Sequence, residues 1–216
     1  MVPWLLPEPI LCLVTDRSYC VDTSMVKKVS QAVEGGVNMV QVREKNLPGQ
    51  RLLELAHELR GVVGEKVLLI INERLDIALA GGADGVHLGE EGLVTSAVQN
   101  VSGKDMIIGR SVHSVDGALG AQRDGANYVI AGTIFPTRSH SGGRHTGAEF
   151  LVKLGATIAI PYLGIGGINA NNAKEVMDAG AAGVAVISAI LGSDAPLEAA
   201  QDIRGVLDEA LRSRKL

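Results

Sequence analysis

The chain has 216 residues, a formal net charge of −4 and 46% apolar residues with few aromatics. This length is ordinary for one α/β domain with an aliphatic core, so we expect residues 1–216 to form a single domain. The interspersed charges include no basic stripe, which argues against nucleic-acid binding, although a local pocket can still bind a small anion.

The N-terminal stretch and the cysteines indicate the cellular setting. Three prolines interrupt MVPWLLPEPILCLV, which has no basic leader and does not resemble a signal peptide. The longest apolar run, AAGVAVISAILG, is too short to span a bilayer. Cys12 and Cys20 lack CxxC spacing and a nearby histidine, which disfavours zinc and a disulfide framework. We expect a cytoplasmic protein with no membrane partner.

Eight short β-branched runs follow one another along the chain, each succeeded by residues at helical spacing. The strand candidates are ILCLVTD, VNMVQVR, VLLIIN, DGVHL, DMIIGRS, NYVIAG, IPYLGIG and GVAVIS. The helical candidates are residues 24–34, 50–60, 74–80, 93–100, 115–123, 147–155, 170–178 and 196–212. Alternating strands and helices predict a parallel sheet.

A glycine that ends a helix precedes every second strand, in EGGVNMVQV, AGGADGVHL, RDGANYVIA and DAGAAGVAVI. This pattern is typical of a left-handed helix C-cap followed by immediate entry into the sheet. Eight strands with such a repeat favour a closed (β/α)8 TIM barrel over an open doubly wound sheet, which usually has fewer strands.

The second strand ends in QVREK, which places Gln41, Arg43 and Lys45 on one face and Val42 on the other. In a barrel the first face points inward and rises to the C-terminal mouth, where barrel enzymes hold their active sites. Two cations in a mouth of low dielectric constant need an anion or a carboxylate. We expect a bound ligand, with a structural ion pair to Glu73 or Glu90 as the alternative.

Polar residues also follow the third to sixth strands and predict a ring of side chains at the same mouth. They are Asn72, Glu73, Glu90, Glu91, Ser111, His113, Thr137, Ser139 and His140. The polar, glycine-rich residues 137–147 predict a loop over this face. After the last two strands, backbone N–H groups are candidates for binding phosphate, at Gly166, Gly167, Ile187, Ser188 and Ala189.

One family shares these motifs. QVREK, INER, DGVHLG, GRSVHS, FPTRS, GIGGIN and AGVAVISAI, in this order over nearly the whole chain, resemble the thiamin phosphate synthase and TenI superfamily. Resemblance to the synthase implies the joining of hydroxymethylpyrimidine pyrophosphate to a thiazole phosphate, with Mg²⁺ holding the pyrophosphate. It implies pyrophosphate contacts from Gln41, Arg43, Lys45 and Asn72, a serine near the reacting carbon at Ser111, and thiazole-phosphate contacts at Gly167, Ile187 and Ser188.

The chain departs from the synthase pattern at three places. Glu73 replaces an aspartate, and Gly92 replaces a second, metal-binding aspartate. The substrate loop reads Thr137, Arg138, Ser139 and His140, without the lysine of the synthase. Losing a carboxylate weakens a magnesium site. We therefore expect Glu73 to bind a metal ion only if the chain is a synthase.

The motif GRSVHS is similar to the TenI branch, the thiazole tautomerases, whose histidine in this motif acts as acid and base. That residue is His113 here, and the implied reaction aromatises a carboxylated thiazole phosphate tautomer without metal or cosubstrate. Imidazole suits such a proton shift near neutrality. The alternative is a histidine that only begins a helix. We infer that Arg43 and Lys45 would then bind the substrate carboxylate.

Three functional hypotheses follow. The first is a thiazole tautomerase with His113 and Ser111 in catalysis and no cofactor. The second is thiamin phosphate synthase with Mg²⁺, and the third is a regulatory barrel that binds a phosphorylated thiazole without turnover. A homo-oligomer is possible, since such barrels often associate. His87 is expected in the core or mouth, and His57 on a helix surface.

Overall fold

The computed structural model describes residues 6–21, 23–137 and 145–214. Eight parallel strands pair in chain order and the eighth pairs with the first, which closes the barrel. This confirms the predicted (β/α)8 TIM barrel. The strands are β1 Ile10–Val14, β2 Met39–Val42, β3 Leu68–Asn72, β4 Gly85–Leu88, β5 Ile107–Val112, β6 Tyr128–Gly132, β7 Tyr162–Ile165 and β8 Gly183–Val186.

The helices occupy all eight predicted positions, with ends that differ by up to three residues. They are α1 Met25–Glu34, α2 Gly49–Val63, α3 Leu75–Ala80, α4 Thr95–Ser102, α5 Val115–Arg123, α6 Ala148–Gly155, α7 Ala173–Asp178, α8 Ser188–Leu191 and α9 Pro196–Arg214. The short α8 was not predicted as a separate helix. That residues 1–216 form one domain stays a prediction.

Glycines mark the entry to every second strand, as the repeat predicts. Gly36, Gly82, Gly125 and Gly180 have φ angles of 106°, 61°, 89° and 95°. A residue with a Cβ atom is strained in this left-handed region, whereas glycine adopts it readily. These glycines therefore allow each helix to stop and the chain to turn directly into the sheet.

The side chains form two apolar layers because alternate residues of a strand point to opposite faces. Residues such as Met39, Ile70 and Leu163 fill the barrel interior. Val40, Val42 and the other outward residues pack under the helices. Gln41 therefore lies on the inward face, and Arg43 and Lys45 follow the end of β2 toward the mouth.

Among the described residues, no helix is both long enough and apolar enough to cross a membrane. The expected cytoplasmic location stays a prediction.

Candidate active site

A cavity of about 490 Å³ opens at the C-terminal ends of the strands. Its lining includes thirteen of the predicted residues, namely Gln41, Arg43, Lys45, Asn72, Glu73, Glu90, Ser111, His113, Thr137, Gly166, Gly167, Ile187 and Ser188. The predicted residues Glu91 and Ala189 do not line it. Ser139 and His140 lie outside the described residues, as does most of the predicted loop.

The two cations of QVREK line the cavity without an acidic partner. Within the described ranges, no carboxylate forms an ion pair with Arg43 or Lys45. The predicted alternative, an ion pair with Glu73 or Glu90, is therefore absent from this part of the chain. Positive charge without a compensating carboxylate favours an anionic ligand.

The backbone that carries these cations is fixed by two buried side chains. Thr15 Oγ1 accepts a hydrogen bond from the Arg43 N–H at 2.9 Å and donates to Glu44 at 2.8 Å. Glu44 also accepts from the Arg17 N–H at 3.4 Å. Burial raises the pKa of the Glu44 carboxyl, against these hydrogen bonds, which lower it. The pair ties the end of β1 to the end of β2 and so positions Arg43.

Two amide side chains follow on neighbouring strands. Gln41 Nε2 donates to Asn72 Oδ1 at 3.0 Å, which joins β2 to β3 at the floor of the cavity. Gln41 Oε1 is buried and has no hydrogen-bond partner among the described atoms. A buried acceptor without a partner is costly, so this oxygen is suited to an N–H group of a ligand.

Glu73 occupies space that two glycines leave open. Its φ angle is 59°, the left-handed region, and its backbone N–H donates to the His87 carbonyl at 2.8 Å. Glu73 Oε1 accepts from the Gly89 N–H at 3.3 Å. A Cβ atom added to Gly92 would lie 3.4 Å from that carboxylate oxygen. The Glu73 side chain, which is longer than that of an aspartate, therefore reaches the region where an aspartate at position 92 would place its side chain.

His113 lies at the rim and is paired with an acid. Its Nδ1 atom is 2.6 Å from Glu90 Oε2, and its side chain is 56% exposed. Arg110 fixes the loop that carries Glu90, because it donates to the carbonyl groups of Glu90 and Leu93 at 2.8 and 2.5 Å. The imidazole is thus held by the rim loop.

Ser111, by contrast, is tied to the barrel interior. His87 Nε2 lies 2.9 Å from Ser111 Oγ, and His87 Nδ1 lies 3.3 Å from the Tyr128 hydroxyl. Burial, with the cations of Arg110 and Arg43 nearby, lowers the pKa of His87 to about 3. The ring is therefore neutral at physiological pH.

Two glycines in the loop after β7 let it pack closely against the loop after β6. Gly166 and Gly167 have φ angles of 104° and 63°. A Cβ atom on Gly167 would overlap the Pro136 carbonyl oxygen, so only glycine lets the loop after β6 pack here. With Ser188 at the start of α8, they form the wall of the cavity where such barrels usually bind phosphate.

Sequence reasoning missed several lining residues. Asp16, Ser18 and Tyr19 come from the loop after β1, and Thr133 comes from the loop after β6. The polar residues that follow ILCLV were a usable signal, because they too lie at the end of a strand. His87 was expected in the core or mouth, but its contact with Ser111 depends on the pairing of β4 with β5 and was not predicted.

The sequence matches a family profile described as thiamine monophosphate synthase over residues 11–190. A thiamine-phosphate synthase of Chlorobium luteolum is 44% identical over 203 residues, which cover 93% of this chain and 94% of that protein. A thiamine-phosphate synthase of Clostridium botulinum is 45% identical over 186 residues, which cover 85% and 91%.

A solved structure is similar as well. Thiamine phosphate pyrophosphorylase from Pyrococcus furiosus superposes with a TM-score of 0.86 at 38% identity, and the match covers 94% of this chain and 97% of that one. The likeness therefore extends over the whole barrel, including the strand ends that line the cavity.

These relatives overturn the first functional hypothesis. Proteins 38% and 45% identical over most of the chain are named thiamine-phosphate synthases, so the thiazole tautomerase assignment was wrong. The inference gave too much weight to the loss of a carboxylate at Gly92, because Glu73 reaches that region. The motif GRSVHS was also given too much weight as a mark of the TenI branch.

Proposed function

We propose that this chain joins hydroxymethylpyrimidine pyrophosphate to a thiazole phosphate and releases pyrophosphate. The chain belongs to the thiamine monophosphate synthase/TenI family. The observation that supports this most directly is the pair Arg43 and Lys45, which line the cavity without a carboxylate partner among the described residues. They offer a binding place for a highly charged leaving group. The enzyme is accordingly a transferase.

The reaction balances as an alkyl transfer. The bond between the pyrimidine methylene carbon and the pyrophosphate oxygen breaks, and its electron pair leaves with pyrophosphate. The lone pair of the thiazole nitrogen forms the new carbon–nitrogen bond, which leaves the thiazole ring positively charged. No net proton transfer is needed, so catalysis depends on positioning the two rings and stabilising the leaving anion.

The charges of the cavity divide between the two substrates. Arg43 and Lys45, at the end of β2, bind the pyrophosphate, since guanidinium and ammonium groups pair well with phosphate oxygens. The backbone at Gly167 and Ile187, together with Ser188, binds the thiazole phosphate from the opposite wall. The two rings then meet between these anion sites, beside Ser111.

The amide pair selects the pyrimidine. Gln41 Oε1 is an acceptor and cannot hydrogen-bond to an unprotonated phosphate oxygen, which is also an acceptor. An aminopyrimidine offers the N–H donor that this buried oxygen lacks. Asn72, whose Oδ1 accepts from Gln41 Nε2 at 3.0 Å, holds the amide in place and can donate its own N–H groups to the pyrophosphate.

The donors near Glu73 fit a magnesium ion that arrives with pyrophosphate. No group of three or more His, Cys, Asp and Glu residues suited to a metal occurs in the described ranges. Mg²⁺ is, however, commonly bound by one or two carboxylates together with substrate phosphates. Glu73 would supply the carboxylate. When bound, the ion would neutralise the charge that develops on the leaving pyrophosphate.

The direct test combines purified protein with hydroxymethylpyrimidine pyrophosphate, thiazole phosphate and Mg²⁺. We expect thiamin phosphate and pyrophosphate in equal amounts, with Mg²⁺ required. Lys45→Gln should raise the KM for the pyrimidine pyrophosphate, whereas Lys66→Gln, an exposed lysine before β3 at the other end of the barrel, should not. Binding of both substrates without any product would contradict the proposal and support a non-catalytic barrel.

A further inference from the structure

Three side chains form a hydrogen-bonded chain from the barrel interior to the cavity. Tyr128 is fully buried at the start of β6, and His87 on β4 is 2% exposed. The Tyr128 hydroxyl lies 3.3 Å from His87 Nδ1, and His87 Nε2 lies 2.9 Å from Ser111 Oγ on β5. His87 and Ser111 both line the cavity, and Ser111 is the more exposed of the two.

The barrel makes specific room for this chain. Gly109 pairs with both His87 and Tyr128 across the sheet. A Cβ atom added to Gly109 would overlap the Tyr128 ring and lie 2.6 Å from His87 Nδ1. A glycine between the two rings is therefore a condition for their contact, since any larger residue displaces one of them.

The two buried groups are both uncharged. Burial raises the pKa of the Tyr128 hydroxyl, which keeps it protonated. His87 is 2% exposed, and among the described residues no carboxylate forms an ion pair with it, so a charged ring would be buried without compensation. Its ring is therefore neutral and carries one proton, on one of its two nitrogens. The position of that proton fixes the direction of the whole chain.

The surroundings of Tyr128 decide between the two tautomers. In the described part of the chain, His87 Nδ1 is the one hydrogen-bond partner of the Tyr128 hydroxyl, and Tyr128 belongs to a buried apolar cluster with Met39 and Leu163. If Nδ1 carried the proton, the tyrosine hydrogen would be buried without an acceptor, which is costly. If Nδ1 is the acceptor, every buried hydrogen is used: Tyr128 donates to His87, and His87 Nε2–H donates to Ser111.

We infer that this one-directional chain leaves the Ser111 O–H pointing into the cavity as a fixed hydrogen-bond donor toward an oxygen of the leaving pyrophosphate. Tyr128 and His87 are then positioning residues, and Ser111 is the residue that touches substrate. The inference rests on the proposed function for the identity of the anion, but the direction of the chain depends on the protein alone.

The direction is tested without substrates. Nitrogen-15 NMR of histidine-labelled protein, with the His87 signal assigned from a His87→Gln sample, reports which ring nitrogen is protonated. We expect the Nε2–H tautomer in the wild type and a loss of this preference in Tyr128→Phe. A wild-type Nδ1–H tautomer would reverse the chain and overturn the inference, whether or not the protein makes thiamin phosphate.

Kinetics test the consequence for catalysis. Ser111→Ala should lower kcat about 100-fold, and Tyr128→Phe about fivefold, with the KM for thiazole phosphate unchanged. In the Ser111→Ala background, Tyr128→Phe should have no further effect on kcat, because Tyr128 acts through the serine. The matched control is Tyr162→Phe, whose hydroxyl donates to the Ala179 carbonyl outside the barrel.

A merely structural role for Tyr128 gives a different result. Its removal would then lower kcat by the same factor with and without Ser111, or Tyr162→Phe would lower kcat as much. Either outcome would refute the positioning role. If no variant or wild-type protein forms thiamin phosphate, the proposed function fails, while the NMR result still stands on its own.

Discussion

Gly92→Asp is the substitution that tests the metal site most directly. Gly92 has no positive φ angle, so an aspartate is compatible with its backbone. The new Cβ atom would lie 3.1 Å from the Gly89 carbonyl oxygen and 3.4 Å from Glu73 Oε1, a tight fit that needs only a small shift. The substitution therefore places a second carboxylate beside Glu73, and Gly92→Asn places an uncharged side chain of the same shape there.

The expected change in stability follows from the distance between the two carboxylates. Carboxylates about 4 Å apart repel by about 1 kcal/mol in water and by about 4 kcal/mol at an effective dielectric constant near 20. Without metal, Gly92→Asp should therefore unfold more easily than Gly92→Asn, by an amount between these limits. With a divalent ion the same charges attract it, and we expect metal affinity to rise at least about tenfold.

Two measurements on the same samples check this expectation. Thermal unfolding with and without Mg²⁺ gives the change in stability, and titration with Mn²⁺ followed by electron paramagnetic resonance gives the affinity. Pyrophosphate is left out, so the protein ligands alone are compared. If Gly92→Asp binds Mn²⁺ no more tightly than Gly92→Asn, then Glu73 does not face the metal position and the reasoning fails.

Three further predictions concern other parts of the molecule. Because the pKa of folded His87 is about 3 and that of an unfolded histidine about 6.5, the unfolded chain binds more protons below neutrality. As pH drops from about 6 to about 4, the free energy of unfolding of the wild type should fall by about 1.4 kcal/mol per pH unit relative to that of His87→Gln. If the stabilities of the two proteins depend on pH in the same way, this prediction is wrong. Arg43→Gln should weaken inhibition by inorganic pyrophosphate about tenfold or more, and Arg51→Gln, an exposed control on α2, should leave it unchanged. Asp84→Asn should lower the free energy of unfolding by about 1–2 kcal/mol, because Asp84 accepts a hydrogen bond from the Leu69 N–H at 2.7 Å and pairs with Arg60. Below the unfolding temperature, kcat should not change.

The branch of the family was harder to predict than the fold. Glu73 and Gly92 read in isolation suggest a damaged magnesium site, and GRSVHS suggests a catalytic histidine. In the folded chain Glu73 Oε1 lies 3.4 Å from where a Gly92 side chain would begin, and His113 is held by Glu90. The distance between these two positions, and the names of the relatives, are not visible in the motifs themselves.

The sequence by itself determined the barrel and most of the polar residues at its mouth. Period-two alternation in QVREK sets which side chains face inward, and helix-ending glycines set where every second strand begins. Both are local properties of the sequence. Parallel strands then bring all their C-terminal residues to one rim, so Arg43, Asn72 and Ser111 were predictable as neighbours.

Tertiary structure alone decided which of these side chains touch one another. His87 and Tyr128 are 41 residues apart, and their contact depends on the register of β4, β5 and β6 and on the space above Gly109. Likewise, the lack of an acidic partner for Arg43 in the described chain reflects where Glu73 and Glu90 are held by their own hydrogen bonds. Such contacts depend on how segments far apart in the sequence pack together, which no local pattern encodes.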